Sequence, residues 1–259
     1  MDFIEELSWR GLIHQITPKA QEHLKTNTAT GYCGFDPTAQ SLQIGNLVAV
    51  MLLIHFQRAG HNPIALIGGA TAMIGDPSGK SEERNLLSSN EILTNESKIK
   101  DQLNKLIPNI EIVNNRDWFG QMNLLDFLRD IGKQLTVNYM IAKDSVQSRM
   151  VNGISFTEFS YQLLQGWDFH CLNQHKNCSV QIAGSDQWGN ITAGSEIVRK
   201  MSGNDVHAVT CPLITKADGT KFGKSAAGER IWLDPEMTSP YKFFQFWINT
   251  TDEEASEYI

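Results

Sequence analysis

Lys221 and Lys224 stand three residues apart, between glycines, in the segment Asp218 to Ser225, DGTKFGKS. Glycine opens backbone conformations that other residues resist, so a loop of this composition can carry both ammonium groups to one ligand. Two cations so spaced suit a group with several negative charges, and a polyphosphate is the natural candidate. A solvated basic turn is the plainer alternative. Far upstream, Tyr32 to Asn46, YCGFDPTAQSLQIGN, reads as a strand end, a turn and a helix start. GDPSGKS, Gly75 to Ser81, approaches a Walker A loop but leaves three residues between its glycines where that motif needs four. Its geometry for wrapping phosphates is therefore wrong. No G-x-G-x-x-G dinucleotide fingerprint is present.

Other chemistry-bearing residues give weaker patterns. His170-Cys171 and His175 with Cys178 have the types of zinc ligands, but their spacing matches no standard finger or ribbon. They read as a helix end with incidental thiols, and no metal site is expected. His14, His23, His55, His61 and His207 show no nucleophile or base partner and read as packing or surface residues. The aromatics of Tyr241 to Trp247 recur at helical spacing, as core or interface residues do.

Strand-like and helical patterns alternate along the chain, which argues for an α/β fold with a mostly parallel sheet. Strands are expected at Ala29 to Gly34, Pro63 to Ile67, Ile110 to Val113, Val180 to Ala183 and Ala208 to Ile214. Thr17-Pro18 is expected to open a short helix, with proline in the first turn. Further helices are expected at Gly45 to Ala59 (closed by Gly60), Ser88 to Ile107, Leu124 to Lys133 (capped by Asn123), Thr157 to Asn173, Asp186 to Met201 and Thr238 to Thr250. Thr251-Asp252-Glu253-Glu254 has the capping-box pattern of a helix start. So late a start suggests truncation before a further domain.

The 259 residues are 41% apolar and 20% charged, enough to bury a full core. No run of 18 apolar residues occurs, so no membrane span is expected. The first residues, MDFIEELSWRG, are acidic and amphipathic rather than a signal peptide. The four cysteines form no C-x-x-C pair, which fits reduced thiols in a cytoplasmic protein. The net charge of −7 is unlike that of a general nucleic-acid binder, so RNA should be held weakly unless basic residues share one face.

Five segments in order, GYCGFDPTAQSLQIGNL, GGATAMIGDPSGKSEER, ISFTEFSYQLLQGWDF, QIAGSDQWGNITAG and TKADGTKFGKS, are similar to those of the bacterial-type tyrosyl-tRNA synthetases, class I aminoacyl-tRNA synthetases. VNYMIAKDSVQSR and SPYKFFQFWIN extend the resemblance over essentially the whole chain. It implies a Rossmann-like catalytic domain over residues 1–237 with a parallel sheet and flanking helices. An inserted connective and dimer region spans 87–151, and a helical region starts within 238–259. The family's RNA-binding domain lies beyond this sequence. The implied reaction is ATP-dependent activation of L-tyrosine to tyrosyl-adenylate, then transfer to the 3′ end of tyrosine tRNA. Magnesium accompanies ATP as substrate, no tightly bound cofactor is expected, and the assembly is a homodimer with its interface near Phe156. A tryptophanyl-type ligase and a non-catalytic homologue that binds tyrosine or RNA are the alternatives. Tyr32 with Asp168 argues against the first.

The resemblance also implies roles. Asp76, Tyr161 and Gln165 match the positions that hold the substrate ammonium: one anion and two neutral acceptors are a sensible shell. Tyr161 and Gln165 are four apart, hence on one helix face. Asp168, three further on, and Tyr32 match the pair that hydrogen-bonds the phenol. Gly184, Asp186 and Gln187 match the ribose and reaction-centre region, Gln187 also reaching tyrosine. Cys33, Gly34 and Asp36 lie at a strand end, where ligands collect in open α/β sheets. Thr38, Lys80, Arg84, Lys221 and Lys224 match groups that meet the phosphates; four are cations, as expected for stabilising charge on departing pyrophosphate. The chain departs from the family in one signature. Where His-Ile-Gly-His or His-Ile-Gly-Asn is usual, it has Gln43-Ile44-Gly45-Asn46. Gly45 and Asn46 remain ATP-binding candidates. Gln43 can place a neutral N–H near the phosphates at a larger rotamer cost, so activation is either tolerant of the change or slowed.

Overall fold

A computed structural model describes residues 2–79, 87–215, 222–223 and 228–258. The elements in chain order begin with α1 (Phe3–Trp9), β1 (Gln15–Ile16), α2 (Ala20–Thr26), β2 (Thr30–Phe35), α3 (Leu47–Arg58) and β3 (Asn62–Ile67). Next come α4 (Ser89–Leu106), β4 (Glu111–Asn114), α5 (Arg116–Phe119), α6 (Leu124–Asp126), α7 (Val137–Ile141) and α8 (Asp144–Met150). The chain continues with α9 (Phe156–Lys176), β5 (Cys178–Gly184), α10 (Trp188–Ser202), β6 (His207–Cys211), α11 (Pro240–Ile248) and α12 (Asp252–Tyr258).

The strands form one sheet in the order β1-β6-β5-β2-β3-β4. All neighbours are parallel except β1 and β6. Helices cover both faces, so the central strands are apolar on both sides, as parallel strands must be. In β3, Ile64, Ala65, Leu66 and Ile67 are all buried. Alternate residues go to opposite faces. Cys33, Phe35 and Ala65 pack with Leu53, Phe56, Ile99 and Leu103 of α3 and α4. Tyr32, Ile64 and Leu66 pack with Phe169, Leu172 and Val198 of α9 and α10. This is the mixed α/β, largely parallel architecture expected from the alternation. β2 pairs with β3 on one side and with β5 on the other, so the connection order reverses between β2 and β5. In open α/β sheets the crevice at such a switch point, outside the carboxyl ends of the strands, is where ligands bind.

Helix ends follow local chemistry. The Ser88 side chain and Glu91 form a reciprocal capping box at the start of α4. Ser155 accepts from Glu158 N at the start of α9. The Thr251–Glu254 box opens α12. Three expectations need correction. Pro18 does not sit in a first helical turn: Lys19 takes the N-cap position with φ 64° and α2 begins at Ala20. The Leu124 to Lys133 segment is not one α-helix, since α6 gives way to a π-turn over Phe127–Ile131 and a 3₁₀ turn over Gly132–Gln134. The last parallel strand stops at Cys211 rather than Ile214. The two-residue edge strand β1 is too short for a period-2 pattern to announce it. No described helix is long and apolar enough to cross a membrane.

Candidate active site

The turns after β2, β3, β4 and β5 meet at the carboxyl edge of the sheet. Phe35 ends β2 and puts Asp36 there; Ile67 ends β3 and puts Gly68 to Thr71 there. The Thr71 hydroxyl donates to Asp36 Oδ1 at 2.7 Å, and the Tyr161 hydroxyl, from α9, donates to Asp36 Oδ2 at 2.9 Å. A side chain at Gly68 would overlap both Asp36 and Thr71, so only glycine fits under this pair. Asp36, assigned from the sequence to the nucleotide, is thus held by Tyr161, assigned to the amino acid. Beyond β4, Asn115 Oδ1 accepts from Ala70 N at 2.7 Å. Its amide nitrogen donates to Thr71 Oγ1 and to Asp168 Oδ2, each at 3.1 Å.

Asp168 is 2% exposed. Its other oxygen accepts from Trp118 Nε1 at 2.8 Å. Burial pushes its carboxyl up to about 8; the two donors, Asn115 and Trp118, oppose that rise, and the charge on Asp36 adds to it. Tyr32, on β2, is 1% exposed and rests edge-on against Phe169, with ring centroids 5.4 Å apart. Burial, and then the Asp168 charge, hold its phenol well above the usual range. The Tyr32 hydroxyl has no hydrogen-bond partner among the described residues.

A second cluster joins the GDPSG turn to α9 and α10. Asp76 accepts from Ser78 N at 3.0 Å, from Gln187 Nε2 at 2.7 Å and from Asn190 Nδ2 at 3.3 Å. The same Asn190 nitrogen donates to Gln165 Oε1 at 3.0 Å. α9 and α10 come this close because they cross at Gly166 and Gly194: a Cβ on Gly166 would lie 3.3 Å from the Gly194 Cα. The side-chain oxygen of Asn190, Oδ1, is buried without a partner among the described residues. Burial and the charges of Asp36 and Asp76 raise the Tyr161 phenol well above its usual range, so this cluster and the Asp36 cluster are electrostatic neighbours. Asp186, in the turn after Gly184, lies opposite Gly79: a Cβ there would stand 3.7 Å from the Asp186 carboxylate.

The signature turn and Gly223 also meet. Asn46 Oδ1 accepts from Gln43 N at 2.8 Å, which leaves the amide nitrogen of Asn46 as its donor to a ligand. Ile44 N donates to Ile231 O at 2.9 Å, and Ile231 N donates to Gly223 O at 3.1 Å. Gly223, between the two lysines, is therefore tied through one residue to Ile44-Gly45. Gly34, Thr38, Gly45 and Asn46 are exposed on this side, while Cys33 is buried and its thiol is pushed up to about 12 by burial. Lys80, Arg84, Lys221 and Lys224 lie outside the described residues.

Sequence reasoning missed Thr71, Asn115, Trp118 and Asn190. Asn190 carried a signal, since it lies three residues after Gln187 at the start of an expected helix. Asn115 directly follows a strand end. Of the other histidines, His23 and His207 stack at 4.6 Å and His55 and His61 are buried, while His14 is exposed. Among the described residues no group of three or more His, Cys, Asp or Glu could hold a metal ion.

Residues 24–259 match the family model described as tRNA synthetases class I (W and Y). The chain belongs to this family. A tyrosine–tRNA ligase of Cytophaga hutchinsonii is 58% identical over 264 residues, covering 100% of this chain and 62% of that protein. One from Bacteroides fragilis is 56% identical over 270 residues, covering 100% of this chain and 63% of that protein. The chain thus spans less than two thirds of the length of these relatives. Among solved structures, a C-terminally truncated mitochondrial tyrosyl-tRNA synthetase of Aspergillus nidulans superposes with a TM-score of 0.87 at 31% identity, over 99% of this chain and 78% of that one. The tyrosyl-tRNA synthetase of Archaeoglobus fulgidus complexed with L-tyrosine shares the fold, with a TM-score of 0.70 at 18% identity, over 92% of this chain and 73% of that one. The class I Rossmann-like fold read from the sequence is the family's own.

Proposed function

We propose that this chain activates L-tyrosine with ATP, forming tyrosyl-adenylate and pyrophosphate, and that the protein carrying it transfers the tyrosyl group to the 3′ end of tyrosine tRNA. The observation that carries the tyrosine reading is the Tyr32 hydroxyl, buried beside Asp168 with no partner among the described residues. A buried polar group left unpaired costs about 1–3 kcal/mol, and a phenol hydroxyl entering here relieves that cost. Phenylalanine brings no hydroxyl and leaves it in place. Tyrosyl-tRNA synthetases are a well-known case of hydroxyl-based rejection of phenylalanine, so the size of that discrimination is not deduced from this geometry. At the other end of the substrate, Asp76, Gln165 and Tyr161 receive the ammonium, with Asp36 beside them through its bond to Tyr161.

The nucleotide occupies the side formed by the exposed Gly34, Thr38, Gly45 and Asn46 and the half-buried Gly184 and Asp186. Magnesium arrives with ATP. Lys80, Arg84, Lys221 and Lys224 approach the phosphates, and Gln43 donates a neutral N–H there. The tyrosine carboxylate attacks the α-phosphorus, the bond to the bridging oxygen breaks, and pyrophosphate leaves with the electron pair. No covalent enzyme intermediate is required. Catalysis consists of alignment and of charge stabilisation on the departing group. The active form is a homodimer whose contact includes Phe156, 73% exposed at the start of α9.

Exchange of labelled pyrophosphate into ATP tests this reading. Exchange should depend on L-tyrosine and be far weaker with phenylalanine or tryptophan at equal concentration. Exchange driven by tryptophan in preference to tyrosine would overturn the substrate assignment.

A further inference from the structure

Glu96 of α4 and Arg116, the first residue of α5, form an ion pair that bonds directly to none of Asp36, Asp76 and Asp168. Arg116 Nη2 donates to Glu96 Oε1 at 2.6 Å and to the Gly69 carbonyl at 3.2 Å. The second carboxylate oxygen, Glu96 Oε2, accepts from Asn114 Nδ2 at 2.9 Å. Asn114 Oδ1 in turn accepts from Arg116 N at 2.9 Å. One carboxylate thus grips the end of β4 and, through the guanidinium, the turn after β3. Hydrogen bonds between charged groups are shorter and stronger than neutral ones. The fit is close: a Cβ on Gly69 would stand 2.3 Å from Glu96 Oε1 and 2.6 Å from Asn114 Oδ1. The preceding residue of α4, Asn95, donates to the Pro37 carbonyl at 3.0 Å. Two adjacent residues of one helix therefore hold the turns after β2, β3 and β4, the three that carry Asp36, Thr71 and Asn115.

The turn after β4 supplies both donors to Asp168. Asn115 is fully buried, and with its Oδ1 taken by Ala70 N, its amide nitrogen faces Thr71 and Asp168. Trp118, the other donor, lies two residues after Arg116 in the same short helix. We propose that Glu96 and Arg116 are positioning residues for the phenol end of the tyrosine site: they lock the turn that carries Asn115 and Trp118, and through those donors they fix the carboxyl of Asp168. The inference rests on the reading that Asp168 and Tyr32 receive the substrate phenol. A site rejects a substrate that lacks a hydroxyl only while its own polar groups cannot turn to other partners. Loosening this turn gives them that freedom, so phenylalanine gains on tyrosine. The hydrogen bonds of Glu96 and Arg116 reach none of the groups placed at the nucleotide.

Pyrophosphate exchange with tyrosine and with phenylalanine, and hydrogen–deuterium exchange of the Trp118 indole N–H in the ligand-free protein, are measured on the same preparations. The indole signal is assigned by its loss in Trp118→Phe. In Arg116→Met the ratio of kcat/KM for tyrosine over phenylalanine falls about 5-fold, while KM for ATP stays within about 2-fold. The Trp118 indole exchanges about 10-fold faster than in wild type. Glu96→Gln has the same effects, and the two changes together do little more than either alone, because they break one pair. In an Asp168→Asn background, Arg116→Met alters the ratio by less than about 2-fold. An unchanged ratio or unchanged indole exchange overturns the inference. So does an undiminished effect in the Asp168→Asn background, the sign of a general loosening that does not act through Asp168. Should Arg116→Met not fold, Glu96→Gln, which keeps the side chain's shape, decides by the same readouts. If wild type itself does not favour tyrosine over phenylalanine, the reading of the phenol site fails, and indole exchange still decides whether the pair holds the turn.

Discussion

The reading of Asp168 as a partner of the substrate phenol predicts a specificity effect, and its burial predicts a titration. Asp168→Asn keeps the shape of the site but changes its charge and donor pattern. Discrimination between tyrosine and phenylalanine in pyrophosphate exchange should fall by about 10-fold or more, because a buried hydroxyl partner is altered. An unchanged ratio would remove Asp168 from the phenol site. The same substitution has a pH signature. The carboxyl stands at about 8 in the fold and near the ordinary Asp value unfolded. As pH rises from the ordinary value towards 8, the unfolded chain loses this proton while the folded chain keeps it, so stability falls across that window. The amide that replaces the carboxyl does not titrate. Wild type should therefore lose stability relative to Asp168→Asn between about pH 5 and about pH 8 in urea titrations, and parallel curves would refute the raised pKa. At this scale motifs named Tyr32, Asp76, Tyr161, Gln165 and Asp168 as candidates, and the fold places them in the two neighbouring clusters around Asp168 and Asp76. The sequence was silent on Asn115 and Trp118, whose importance comes only from the strand order that brings the end of β4 beside α9. It also separated Asp36 from Tyr161, because residues 125 apart in the chain share no local pattern.

The strand–turn–helix units set how closely these side chains meet. Gly68, after β3, is the tightest constraint. Gly68→Ala forces a methyl group into Asp36 and Thr71 and should destabilise the chain by about 1–3 kcal/mol while severely reducing tyrosine-dependent exchange. Urea midpoints and exchange rates check this, and wild-type values in both would show that the turn can yield. The lysine segment makes the opposite expectation. Lys221→Ala and Lys224→Ala should each slow adenylate formation by about 100-fold and leave tyrosine affinity nearly constant, since the charge they stabilise develops in the transition state. Equal losses in rate and affinity would rule out a phosphate role. Element type was legible wherever period and caps agreed, as at the Ser88 start of α4 and the Gly60 end of α3. It failed where the chain left regular geometry: Lys19 in the left-handed region before α2, and the π-turn after α6. Neither follows from hydrophobic period, because a single backbone dihedral or one extra residue per turn leaves the apolar pattern almost intact.

Across the whole molecule, the apolar side chains left outside the core include Leu124, Leu125, Val137, Val151 and Phe156, each more than half exposed. The homodimer proposed above would cover such side chains, so sedimentation equilibrium should return about twice the 29.0 kDa chain mass. A single-chain mass at micromolar concentration would contradict it. The net charge of −7 adds a second expectation, that this chain alone charges tRNA far less efficiently than it forms adenylate, because attraction to the phosphate backbone supplies much of RNA affinity. The most direct measurement is the product itself. The chain is mixed with tyrosine, ATP, magnesium and pyrophosphatase, desalted, and the bound small molecule is released and weighed by mass spectrometry. Tyrosyl-adenylate should be recovered at close to stoichiometric yield from wild type and in much smaller amount from Lys224→Ala. Recovery of unreacted tyrosine and ATP alone, from protein that binds both, would contradict the assignment of this site to tyrosine activation.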